Sequence, residues 1–167
     1  LPIAENLIEK IRITKKRVKI KKFFLLENNA IGINYKKKIK KLRENIYKKK
    51  IDLQLITASE NIAWILNLRG FDCKFSPLPN GYLLIDKKNK IVLFCDLRKI
   101  NKQLQKSLIG ISIIDIKNVE SFFSNIKSKK ILIDSRSCSI HFQNILNKNN
   151  IIIEETDPIY FLKAIKN

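Results

Sequence analysis

The sequence predicts an α/β fold, a mixed, partly parallel β-sheet flanked by helices, on three observations. From Ile51 onward the hydrophobic period switches repeatedly between strand-like and helix-like spacing, so the chain alternates elements instead of repeating one. Two apolar runs, Tyr82 to Asp86 and Ile91 to Cys95, flank the polar turn Lys87-Lys88-Asn89-Lys90, which reads as a hairpin and therefore one antiparallel pair. Near-continuous apolar strands such as Ile131-Leu132-Ile133 and Ile151-Ile152-Ile153 imply burial on both faces, as in parallel strands covered by helices.

The elements follow in order. Residues 1–35 look like an appendage: a short helical pattern at Ile3, Leu7, Ile8 and Ile11, a basic stretch from Thr14 to Lys22, then the apolar Phe23-Phe24-Leu25-Leu26. That is too little for a core of its own, and the domain is placed at residues 36–167. Lys36 to Lys50 carries Ile39, Leu42 and Ile46 at helical spacing, a narrow stripe that docks while the lysines are solvated. Leu53 to Thr57 reads as a strand. Ser59-Glu60-Asn61 opens a helix over Ile62 to Leu68, with Gly70 as its C-terminal stop and Trp64 expected in the core. An irregular stretch, Phe71 to Asn80, contains Pro77 and Pro79. After the hairpin come a helix from about Leu97 to Leu108, a strand Ile111 to Ile116, a helix Val119 to Ile126 and a strand Lys130 to Asp134. A helix Ser139 to Lys148, a strand Ile151 to Glu154 and a helix Pro158 to Lys166 close the chain, the last with Asp157 as N-cap and Pro158 at N1.

The 167 residues, 45% hydrophobic, suffice for one domain with a real core. No apolar run reaches the roughly 18 residues of a membrane span and no secretory leader is evident, so a soluble, cytoplasmic protein is expected. Cys73, Cys95 and Cys138 are odd in number and scattered, which points to reduced, buried thiols. With no methionine and an opening Leu1-Pro2, the sequence is expected to be a piece of a longer one.

The net charge of +19 raises nucleic-acid binding as an alternative function, so its distribution matters. Residues 10–50 hold 17 of the 34 Lys and Arg against only Glu27 and Glu44, whereas residues 51–167 hold 17 against 11 acids. Heavy use of isoleucine, lysine and asparagine is what an A/T-rich genome would produce, raising the pI without any selected partner. Aromatics are not interleaved with the basic run as stacking platforms, and the apolar stripe of the Lys36 helix lacks the Trp or Phe of a membrane-surface helix. No specific nucleic acid and no membrane are expected as partners.

Within its own bounds the sequence offers no catalytic residues and no metal site. Metal hydrolysis needs several His, Asp or Glu converging on an ion, and there is one histidine, His141. Glu154 and Glu155 are adjacent in a strand-like run and point to opposite faces. Ser135 to Ser139 lacks a G-x-S-x-G context and reads as loop and cap chemistry. No phosphate-binding glycine pattern exists.

Thr57-Ala58-Ser59-Glu60-Asn61-Ile62-Ala63-Trp64-Ile65-Leu66-Asn67-Leu68-Arg69-Gly70-Phe71-Asp72 resembles the I-A-W-L-x-N-L-R-G-x-D stretch of Xaa-Pro aminopeptidases, in the creatinase/prolidase family. Tyr82-Leu83-Leu84-Ile85 and Leu93-Phe94-Cys95-Asp96 are similar to that family's S-Y-L-L-V and L-F-x-D strands in order and spacing. Asp157-Pro158-Ile159 to Leu162-Lys163-Ala164-Ile165-Lys166-Asn167 resembles the P-x-x-x-L-K-A-I-K-N linker into the catalytic domain. Glu5-Asn6-Leu7-Ile8-Glu9-Lys10-Ile11 is similar to the end of the first domain, with Arg12 where tryptophan is usual, and Ile31-Gly32-Ile33 to Lys38-Ile39 to the lead-in of the middle domain. The chain departs from the pattern at Cys73-Lys74-Phe75-Ser76-Pro77, where the family has I-P-Y-N-P, and at the basic Thr14 to Lys22.

The resemblance implies a creatinase/prolidase N-terminal-domain-like fold and a place as the non-catalytic middle domain of a three-domain metallopeptidase that removes an N-terminal residue preceding proline. Residues 1–35 would then be the tail of a preceding domain plus a basic linker. It implies two divalent ions, commonly manganese, held by a following catalytic domain and none held here, with proline-containing peptides as substrates and a homodimeric intact enzyme. The middle domain would pack on its own catalytic domain and help confine substrate. The stretch from Arg69 to Asn80 is the candidate for that contact, with Arg69, Phe71, Asp72 and Phe75 as possible substrate-cleft or domain-interface residues. The alternative is an Arg69–Asp72 ion pair that only braces the loop.

Overall fold

Asn34 caps the first long helix: its side-chain oxygen accepts the Lys36 N–H at 2.9 Å, so the chain turns from extended into helical backbone there. This structure is a computed structural model that describes residues 20–165. Helix α1, Tyr35–Lys48, buries Ile39, Leu42 and Ile46 as the spacing requires, and one lysine, Lys38, with them. Ahead of it β1, Phe24–Leu25, follows Phe23, whose ring lies in the core and whose N–H donates to the Lys99 carbonyl at 2.9 Å. The helical pattern at Ile3 to Ile11, the basic stretch from Thr14 as far as Lys19, and the final Lys166 and Asn167 lie outside the described residues.

The remaining elements are β2 (Leu53–Ile56), α2 (Ser59–Leu66), β3 (Leu68–Arg69), β4 (Tyr82–Asp86), β5 (Ile91–Cys95) and α3 (Lys102–Ser107). After them come β6 (Ser112–Asp115), α4 (Val119–Ser124), β7 (Lys130–Ile133), α5 (Ile140–Asn147), β8 (Ile151–Glu154) and α6 (Ile159–Ala164). Six strands form one sheet in the order β6-β5-β4-β2-β7-β8, while β1 and β3 pair separately and antiparallel. β4 is antiparallel to β5 and to β2, whereas β5–β6, β2–β7 and β7–β8 are parallel. The mixed, partly parallel sheet flanked by helices is as expected. Alternation along the strands divides the core in two. Ile56, Leu83, Ile85 and Leu93 face α1, α2, α3 and α6, while Leu84, Phe94, Ile131 and Ile133 face α4 and α5.

Several expectations need correction. The helix over Leu97 to Leu108 is two pieces, because Asp96 caps a 3-10 turn at Leu97–Lys99 and Asn101 separately caps α3, leaving Ile100 extended between them. Helix α2 ends at Asn67, whose backbone is left-handed (φ 54°), not at Gly70. β8 is not buried on both faces: it is the outer strand of the sheet, and Ile151 is exposed. The last helix starts at Ile159, one residue after Pro158, although the Asp157 carboxylate still accepts the Ile159 N–H at 2.9 Å. Cys95 and Cys138 are buried, with burial pushing their thiols up to about 12 and about 11, but Cys73 is exposed on its loop. Trp64 is half-buried against the core, and Lys38 is not solvated.

Candidate functional site

The four residues singled out in the sequence lie on one loop but do not act as one constellation. Arg69, at the end of β3, donates through Nη1 to the carbonyls of Ala63 and Leu68, both at 2.9 Å, so it ties the last turn of α2 to the strand that follows. Burial holds its guanidinium below the ordinary value. Asp72 does not meet Arg69. Its carboxylate pairs with Lys99 and accepts the Asn80 N–H at 2.7 Å, closing the base of the loop. The Arg69–Asp72 pair offered as the bracing alternative is therefore replaced by two separate braces. Which lysine would answer Asp72 was not legible, since Lys99 stands 27 residues away in the chain.

Between these braces the loop presents aromatic surface. Phe71 stacks on Phe24 at 5.5 Å between ring centroids, with the Lys21 ammonium 4.7 Å from its ring centre. Phe75 is 89% exposed, and Lys74 lies over it at 5.0 Å. The Gly70 N–H donates to Pro77 and the Asp72 N–H to Leu78, so the loop doubles back on itself. The geometry is that of a firm scaffold holding apolar rings outward, which suits docking.

A second polar cluster, which sequence reasoning missed, sits where the last helix leaves the sheet. Asp157 is buried and accepts from Gln54 Nε2 at 2.9 Å and Asn61 Nδ2 at 2.6 Å, while its own N–H donates to Asp134 at 3.0 Å. Burial pushes the Asp157 carboxyl up, whereas the Arg136 side chain bonded to Asp134 holds that carboxyl down. Lys163 of α6 donates to Asn61 Oδ1 at 2.6 Å, and Gln54 Oε1 is buried without a partner among the described residues. The cluster joins β2, α2 and α6 and so fixes the direction in which the chain leaves. A polar Gln54 inside an apolar strand was the available signal.

The third is Lys38, 6% exposed, whose ammonium donates to the Trp64 carbonyl and to Asn67 Oδ1 and lies 4.3 Å from the Trp64 ring centre. Burial first, then the Arg69 charge, pushes its pKa down to about 8 from 10.5. Because the folded value is the lower one, the ammonium penalises the folded state fully below about pH 8. Between there and 10.5 the folded chain releases a proton that the unfolded chain keeps, so stability rises with pH. Urea unfolding of the parent and Lys38→Met should show the parent gaining on the variant between pH 7 and pH 9.5. A constant difference between the two would refute the assignment.

His141 is exposed at 3.0 Å from Glu120, and among the described residues no three His, Cys, Asp or Glu converge as metal ligands. Ser139 caps α5 through the Phe142 N–H at 3.3 Å, and the Ser137 N–H donates to the Asp134 carbonyl, so that serine cluster is loop chemistry. The family model described as "Creatinase/Prolidase N-terminal domain" matches residues 14–167. The chain belongs to this family.

As a creatinase/prolidase N-terminal domain it has long relatives. Xaa-Pro aminopeptidase 1 of Dictyostelium discoideum is 36% identical over 98% of this chain and 27% of its own length. Xaa-Pro aminopeptidase ApepP of Drosophila melanogaster is 28% identical over 100% of this chain and 28% of its own. The chain thus spans about a quarter of the curated relatives it matches. Its fold is similar to that of X-prolyl aminopeptidase from Caenorhabditis elegans, described as a cytosolic enzyme with a di-nuclear active site, with TM-score 0.84 and 23% identity over 99% of this chain and 28% of that one. The N-terminal domain of the cytoplasmic peptidase PepQ from Mycobacterium tuberculosis matches at TM-score 0.56 and 18% identity, covering 75% of this chain and 98% of that one. In this creatinase/prolidase N-terminal domain the Trp64 to Asp72 motif forms the end of α2, β3 and the braced loop.

Proposed function

We propose that this chain is the non-catalytic middle domain of an Xaa-Pro aminopeptidase, a hydrolase that removes an N-terminal residue preceding proline. The observation that carries this reading is the 36% identity over 98% of the chain to an Xaa-Pro aminopeptidase of which it spans only 27%. The domain proper is residues 36–167 together with Phe23 and β1, which pack into its core and pair with β3, and the residues ahead of these bring the tail of a preceding domain and a basic linker. Two divalent ions, manganese in this reading, belong to a following catalytic domain. The intact enzyme works on proline-containing peptides as a cytoplasmic homodimer. The loop from Arg69 to Asn80 faces the catalytic domain, with Phe71 and Phe75 as the contact surface and Arg69 and Asp72 holding them in place.

The test uses the whole gene product that contains this chain, beside the chain alone. With manganese, the whole protein should cleave X-Pro peptides and the isolated chain should neither cleave them nor retain stoichiometric metal by elemental analysis. Phe75→Ala in the whole protein should lower kcat/KM several-fold with an unchanged melting temperature, since the ring is 89% exposed. Cleavage by the isolated chain would overturn the non-catalytic assignment, and full activity of Phe75→Ala would remove the loop from the substrate cleft.

A further inference from the structure

Codon bias can set how many lysines the chain has, but not where the fold puts them. Four lysine-bearing segments meet at one end of the sheet, where β2, β7 and β8 start and the β4–β5 hairpin turns, beside the uncharged start of β6. These segments, residues 48–52, 86–91, 127–130 and 147–151, hold ten lysines against Asp52 and Asp86. The segments at the opposite end, 57–60, 95–99, 115–118, 134–139 and 154–158, hold four basic residues against seven carboxylates, of which Glu155 reaches back to pair with Lys49 of the first end. The domain is therefore polarised, and residues distant in sequence make up the basic pole.

The pole has shallow, open hollows and carries an aromatic ring. One hollow of about 400 Å³ lies between α1 and the hairpin turn, lined by Lys36, Lys40, Arg43, Tyr47, Lys87 and Lys88, with Glu44 at its side. A second of about 380 Å³ shares Tyr47 and Lys87 with it and reaches Lys50. A third of about 500 Å³ holds Lys129, Lys130 and Lys148 beside Asn147, Asn149 and Asn150, and Asp52 joins it to the others through its bonds to Lys87 and the Lys130 N–H. Tyr47 is 74% exposed among these lysines. Three pole lysines are engaged locally, Lys49 with Glu155, Lys87 with Asp52, and Lys90 over the Phe122 ring at 5.0 Å.

We infer that this lysine-rich pole is a binding surface for single-stranded nucleic acid, sequence-independent and separate from the peptidase role. The lysines neutralise a phosphate chain laid along the linked hollows, and Tyr47 gives a base a face to stack on, the combination that single-strand binders use. The exposed amides of Asn147 and Asn149 in the third hollow reach base edges or sugars, while that of Asn150 is held by the Ile126 and Leu146 carbonyls. A bilayer fits less well, because insertion needs an apolar face and this end sets the exposed Ile109, Ile151 and Tyr47 among ten lysines.

Fluorescence anisotropy with labelled oligo(dT) in low salt tests this on the whole protein. Binding should weaken steeply with salt. Lys88→Glu/Lys129→Glu/Lys148→Glu should reduce affinity roughly tenfold or more, and Tyr47→Ala roughly fivefold or more, both with parent-like melting, while Lys15→Ser/Lys16→Ser/Lys19→Ser should change it little. Inorganic polyphosphate should compete but lose no affinity on Tyr47→Ala. The inference is overturned by absence of oligo(dT) binding, by binding that follows Lys15 to Lys19 instead of the pole, by indifference to Tyr47, or by tighter binding to phosphatidylserine vesicles than to oligo(dT).

Discussion

Phe123→Ala should destabilise this domain by about 3–5 kcal/mol. Phe123 is fully buried on the sheet face covered by α4 and α5, and its ring meets Phe94 edge-on at 5.6 Å and Phe142 edge-on at 5.3 Å. Such pairs add about 0.5–1.5 kcal/mol beyond the area they bury. Phe142 is in turn edge-on to Tyr82 at 4.9 Å, so truncation at Phe123 removes the middle of a chain of rings joining β5, α4, α5 and β4. Collapse into the gap is limited on the sheet side, where Phe94 stands on a strand fixed by the ladder, and Phe142 of α5 is the neighbour that could shift. Thermal unfolding should show a midpoint lower by roughly 10 °C. Phe123→Leu should recover a large part of the loss. A midpoint within two degrees of the parent for the alanine variant would show that α4 packs loosely and that this half of the core is not as described.

Gly70→Ala should cost about 1–3 kcal/mol and shift the Arg69 to Asn80 loop. Its backbone needs no special dihedral; the constraint is space. An added Cβ would stand 2.8 Å from Phe23 Cε1 and 2.9 Å from the Pro79 Cα, so a core ring and a loop backbone would both have to move. In the whole enzyme the same change should lower kcat/KM on X-Pro peptides, if the loop borders the substrate as proposed. Gly110→Ala is the contrast: nothing lies within 4 Å of its Cβ position, and only the φ of 83° opposes a side chain. It should cost about 1 kcal/mol with no effect on activity. Equal losses for the two variants, measured by chemical denaturation, would contradict the steric account of Gly70.

The glycine shows how a local reading misjudges a residue whose role is tertiary. Next to a helix it resembled a stop, but Asn67 takes the left-handed turn three residues earlier, and Gly70 is small because Phe23 crosses it. Trp64 failed for a related reason. Helical spacing put it among apolar neighbours, yet the ring lies at the edge of the core under Lys38, which no periodicity distinguishes from the solvated lysines around it. Arg69 and Asp72 were legible as residues worth naming, and illegible as contacts, because their partners are helix carbonyls and a lysine from another element.

By itself the sequence determined the order and type of nearly every element, the hairpin, the mixed sheet, and membership of the creatinase/prolidase family. These rest on patterns local in the chain: hydrophobic period, capping residues and a contiguous motif. Tertiary structure alone decided strand order, and with it which strand became the exposed edge, which lysine was buried, and that separate lysine turns would share one pole. Those outcomes depend on long-range pairing, where the free energy comes from burying surfaces far apart in sequence, and no window of neighbouring residues contains it.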